Sequence, residues 1–134
     1  DVIEVRQPEW VKHGFDRLSA SKVRDNGEGG YDFFVNIDNV YLLTELKNRN
    51  GQDPKLLEAQ YKYALVLIAL AMLKYSLNST EPDDESEKKD GGESDNSAKV
   101  FDRIRDVTNA LSSIIISMIT YLGELELEAE EVER

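Results

Sequence analysis

Hydrophobic residues in this chain fall at helical spacing in two long stretches, and the first of these sets the pattern for the rest. Residues 54–77, PKLLEAQYKYALVLIALAMLKYSL, contain no polar side chain between Ala64 and Leu73. A helix that apolar requires neighbours on most of its sides. Leu57, Tyr61, Ala64, Ile68, Ala71 and Tyr75 recur at 4-3-4-3-4 spacing, while Leu56, Tyr63, Leu67, Leu70 and Leu77 form a second strip. Two strips predict two neighbouring helices, with Ala64, Ala69 and Ala71 allowing close approach.

The second stretch opens at Ser97, a helix-capping residue type. Val100, Ile104, Val107, Leu111, Ile114, Met118, Tyr121 and Leu125 then keep a strict 4-3 alternation. Ile115, Ile119 and Leu122 widen the stripe. A heptad this regular predicts bundle packing or a coiled coil, which makes these eight residues the candidate interaction surface. Gly123 interrupts the pattern, and the glutamates beyond it crowd a helix C-terminus, where the dipole disfavours negative charge. The segment 124–134 is therefore expected to be an acidic tail that frays.

Shorter signals fill the first third of the chain. Pro8 can open a helix, and Trp10, Val11, Phe15 and Leu18 share a helical face, which predicts a first helix over 8–20 despite Gly14. Residues 1–7 alternate weakly, as a short strand or a lead-in would. The segment 21–32, SKVRDNGEGGYD, has the glycines and turn-forming polar residues of a flexible loop. Phe33, Val35 and Ile37 alternate as in a strand, but Asn36 and Asp38 are helix-capping types and Val40, Leu43 and Leu46 continue at helical spacing. That favours a second helix over 38–48, closed by Asn50 and Gly51. Asp53 then caps the central helix, with Pro54 at its first position.

Between the long stretches, residues 79–98 hold no large apolar side chain. A segment of that composition cannot bury enough surface to offset its ordering entropy, so a flexible acidic linker is expected. Ser86, Ser94 and Ser97 within it are candidate phosphate acceptors. The predicted fold is all-α: one domain over 1–134, a four-helix bundle of two short and two long helices with a disordered acidic loop between helices 3 and 4.

Charge sharpens this picture more than composition does. The net charge of −11 resides in two segments: 81–95 has eight acids against Lys88 and Lys89, and 124–134 has six against Arg134. Elsewhere the charges balance, and Lys and Arg form no patch, which argues against nucleic-acid binding through phosphates. The absence of cysteine excludes disulfides and thiolate metal sites and fits a cytoplasmic setting. No wholly apolar run approaches the roughly 20 residues of a membrane span, so a soluble piece of a longer polypeptide is expected.

Candidate chemistry is sparse. His13 is the only histidine, so neither a histidine dyad nor a multi-histidine metal site can form within the chain. Asp25, Glu28 and Asp32 would repel a phosphate from the glycine-rich segment, and its acids lack the spacing of a calcium loop. Glu58, Asp102 and Asp106 fall outside the apolar stripes, and Ser112 and Ser113 have no base beside them in sequence. No catalytic, cofactor-binding or metal residue is therefore assigned, and no cofactor is expected. The leading expectation is a non-enzymatic helical interaction or oligomerisation module, an accessory domain of a longer protein whose partner is a protein, either itself or the rest of that chain. An acidic module binding a basic protein through 81–95 and the tail is a second reading. A ligand-binding or enzymatic domain with a tyrosine-lined pocket inside the bundle is a third.

Overall fold

The computed structural model of the chain describes residues 1–48, 53–78 and 92–132. It corrects the all-α expectation: the domain is mixed α/β, with a three-stranded sheet packed against the long helices. The strands are β1 (Val2–Val5), β2 (Ser21–Asp25) and β3 (Tyr31–Asn36). The helices are α1 (Trp10–His13), α2 (Val40–Asn48), α3 (Pro54–Asn78) and α4 (Gly92–Val132). A 3-10 turn, Gln7–Glu9, leads into α1.

β3 lies at the centre of the sheet, parallel to β1 and antiparallel to β2. Its alternation is genuine, but both faces are covered. Phe33 and Val35 pack with the long helices, alongside Leu65, Ala69 and Ile104. Phe34 points the other way, to Val5 and Phe15. With apolar residues needed on both sides, the run reads as continuous and the strand signal weakens.

The expected 8–20 helix is instead a single turn. Gly14 stops it at φ 69°, and Val11, assigned to its buried face, is 96% exposed. The chain then turns back into β2, and the supposed flexible loop 21–32 becomes the β2–β3 hairpin. Asn26 closes its turn: its Oδ1 accepts from the Glu28 and Gly30 amides at 2.8 and 3.0 Å, and its own amide donates to the Gly30 carbonyl at 3.0 Å. Gly27 and Gly29 take the positive φ that the turn requires, 78° and 83°.

α2 begins at Val40 and is capped by Asn39, not by Asn36 or Asp38. Asn39 Oδ1 accepts from the Tyr41 amide at 2.9 Å. Asn36 instead ties β3 to the segment around α1. Its Oδ1 accepts from Trp10 Nε1 at 2.9 Å, and its Nδ2 donates to the Asp16 and Ser19 carbonyls. The signals at 53 and 54 act as expected, with Asp53 Oδ1 accepting from the Lys55 amide at 2.9 Å. The expected end of helix 2 at Asn50 and Gly51 lies outside the described residues, as does 79–91 of the acidic linker. α4 starts at Gly92, so Ser97 lies inside the helix and does not cap it.

α3 and α4 run antiparallel. Leu57, Tyr61 and Leu65 meet Ile115 and Ile116 at one end, and Ala69 and Leu73 meet Ile104 at the other. Each helix buries a row at every fourth residue: Leu57, Tyr61, Leu65, Ala69 and Leu73 on α3, and Ile104, Thr108, Ser112 and Ile116 on α4. Such rows are the ridges by which helices of globular domains interlock at an angle, in contrast to the near-parallel seam of a coiled coil.

Candidate interaction surface

The buried row of α4 explains where its heptad stripe goes. Successive residues of a helix are about 100° apart, so a row stepping by four advances about 40° per step, while a 4-3 stripe drifts slightly backwards. The two coincide at Ile104 and part by nearly half a turn by the level of Ile116. Val100, Val107 and Leu111 are accordingly half-buried, whereas Ile114, Met118 and Tyr121 are 52%, 57% and 61% exposed. The Leu125 side chain lies outside the described residues.

Polar residues hold the buried row in place. Ser21 Oγ donates to Thr108 Oγ1 at 2.8 Å, and the Ala20 amide donates to Asn109 Oδ1 at 2.8 Å, which ties α4 to the start of β2. Thr108 Oγ1 in turn donates to the Ile104 carbonyl at 2.8 Å. Deeper in, Tyr61 and Ser112 share a hydrogen bond of 2.6 Å, and Ser112 Oγ donates to Asn39 Oδ1 at 3.3 Å. One serine thus connects α3, α4 and the cap of α2. Burial pushes the Tyr61 phenol up to about 12, with the Ser112 bond opposing the rise. Among the described residues no buried side-chain polar atom lacks a partner. The stripe-based reading missed Thr108, Asn109 and Ser112; the available signal for Thr108 and Ser112 was their four-residue spacing from Ile104.

α3 is likewise less enclosed than its composition implies. Of the first predicted strip, Leu57 and Tyr61 are buried and Ala64 and Ile68 half-buried, but Ala71 and Tyr75 face solvent. The second strip lies outside the core: Leu56, Tyr63, Leu67 and Leu70 are between 47% and 68% exposed. The cations on this helix are Lys55, Lys62 and Lys74, and its only acid is Glu58, which pairs with Arg6 at 3.6 Å. Lys62 pairs with Glu4 at 3.0 Å and lies 4.9 Å from the Tyr63 ring centroid. Lys55 and Lys74 are exposed. By length and composition, 54–76 is apolar enough to cross a membrane, contrary to the expectation from sequence, and a third of its most apolar window is buried inside the domain.

On α4, Ser113, Ile114, Ser117, Met118, Tyr121 and Leu122 line an open, shallow hollow. Its lining is mainly apolar, and the Ser117 hydroxyl is engaged with the Ser113 carbonyl at 3.1 Å, so the hollow suits side-chain docking better than chemistry. His13 is buried, with its ring 4.8 Å from that of Phe34. Its pKa is lowered from 6.5, first by burial and then by Lys12, with Arg24 and Lys22 adding to the effect and Glu9 opposing it. No group of three potential metal ligands occurs among the described residues. Glu58, Asp102 and Asp106 are engaged with arginines: Asp102 and Asp106 both pair with Arg105. Comparison with protein-family models, curated proteins and solved structures finds no match to this chain.

Proposed function

We propose that the chain is a protein-interaction module that self-associates through the outer faces of its two long helices. The observation supporting this is the exposure of two regularly spaced apolar rows, Leu56–Tyr63–Leu67–Leu70 on α3 and Ile114–Met118–Tyr121 on α4. Isolated exposed leucines are ordinary, but rows of them along helix faces mark contact surfaces. In this reading the module is cytoplasmic and soluble. α3 serves as a core helix, as its buried row and its polar ties through Glu58, Tyr61 and Lys62 suit. Sedimentation velocity over a wide concentration range tests it. The wild-type chain is expected to form a discrete oligomer, and a variant with Leu67→Glu and Leu70→Glu to be monomeric with an unchanged circular-dichroism spectrum. A wild-type monomer at every concentration refutes the proposal.

A further inference from the structure

Resting on the self-association reading, we infer that the α3 outer face of one copy receives the C-terminal overhang of α4 from a second copy, reciprocally. Direction is the first argument. α4 runs antiparallel to α3, and Leu57, near the start of α3, shares a core cluster with Ile115 and Ile119. Thr120 still reaches back to the body, its Oγ1 donating to Glu45 Oε1 at 3.1 Å, but Tyr121 and Leu122 are already more than half exposed. Residues 121–132 therefore continue the helix beyond the first turn of α3. At about 1.5 Å per residue this overhang is roughly 18 Å long, and its own α3 lies behind it.

Stability is the second argument. In sequence, residues 124–132 place five glutamates at a helix C-terminus, where the dipole disfavours negative charge, so a cationic partner surface favours this end of α4. The overhang is stabilised by a surface that is both apolar and cationic. α3 presents that combination: Leu56, Tyr63, Leu67 and Leu70 between Lys55 and Lys74, with its single acid turned to Arg6.

Charge also disfavours the simpler pairings. Two α3 faces packed antiparallel about their midpoint set Lys55 of each copy against Lys74 of the other, and parallel packing sets each lysine against itself. Two overhangs packed together bring glutamates against glutamates. Pairing α3 with the overhang of α4 removes both repulsions and joins the apolar rows.

A mixing experiment separates this arrangement from other dimers. The first variant blocks the α3 face with Leu67→Glu and Leu70→Glu; the second blocks the α4 side with Met118→Lys and Tyr121→Lys. Each alone has no intact seat and is expected to bind itself on the order of thirtyfold more weakly than wild type, or worse. Mixed, they retain one intact seat, the overhang of the first on the α3 of the second, and are expected to form a heterodimer by sedimentation velocity. A mixture that stays monomeric overturns the inference, as does a second variant that dimerises like wild type, which would leave self-association standing by another surface. Lys55→Glu with Lys74→Glu is an independent check by solubilising substitutions: weaker association with a flatter salt dependence is expected, and an unchanged one overturns the inference. Wild type that stays monomeric yet binds phosphatidylserine vesicles would assign the α3 face to a lipid surface instead and also overturn it.

Discussion

Replacing Ser112 by alanine tests how the domain fixes the rotation of α4. The side chains of Tyr61, Ser112 and Asn39 are fully enclosed, and the order of donation runs from the Tyr61 hydroxyl to Ser112 Oγ and on to Asn39 Oδ1. Ser112→Ala removes the acceptor of a buried phenol, which costs about 1–3 kcal/mol, because water cannot replace it. The Asn39 oxygen loses less, since it still accepts from the Tyr41 and Leu42 amides. Tyr61→Phe alone takes away one hydrogen bond and leaves Ser112 bonded to Asn39, for about 1 kcal/mol. The double variant has no stranded hydroxyl, so its loss should fall short of the sum of the two single losses by about 1 kcal/mol. Urea denaturation followed by circular dichroism reads these values; with a typical slope, 2 kcal/mol moves the midpoint by roughly 1 M. A Ser112→Ala loss under about 0.5 kcal/mol, or strict additivity in the double variant, would refute the relay.

Two further outcomes follow from the N-terminal half. The folded pKa of His13 lies below its ordinary 6.5, so as the pH falls past 6.5 the unfolded chain binds a proton that the folded chain resists. Stability is full above that pH and is lost progressively toward the folded pKa; His13→Phe should flatten this part of the pH profile, and an unaltered slope between neutral and mildly acidic pH would assign the loss to other groups. Asn36→Leu strands the Trp10 indole N–H and takes one donor from each of two carbonyls that keep another, Asp16 from the Ser19 amide and Ser19 from Asn39 Nδ2; it should cost about 2 kcal/mol in the same denaturation assay, with a loss below about 0.5 kcal/mol counting against the network.

What sequence reasoning could see depended on how far along the chain the partners lay. α3 and α2 were legible because their signals are local: Asp53 and Pro54 mark a start, and Val40, Leu43 and Leu46 keep one period. The sheet was not, because β1 is held by a strand some thirty residues away and β3 is covered on both faces, which hides its alternation. The heptad of α4 is real in sequence, but it follows the core only as far as Leu111; from Ile114 onward it describes the side left outside. What packs inside includes Thr108 and Ser112, polar residues made suitable for a core only by Ser21, Tyr61 and Asn39. The exposed apolar rows behind the proposed interaction surface were half legible: Ile114, Met118 and Tyr121 belonged to the expected interaction stripe, while the exposed strip of α3 was read as core.

The central position of β3 orders events in time. Of the three strands it is the last to leave the ribosome, so β1 has no neighbour to pair with until residue 36 has emerged, whereas the β2–β3 hairpin forms from adjacent residues at once. Ser21 and the Ala20 amide must then wait for Thr108 and Asn109, 87 and 89 residues downstream. During that interval the helix-facing side of the sheet, with Val23 and Phe33, has no α4 to shield it, and a nascent chain stalled before residue 104 would expose an adhesive surface of its own.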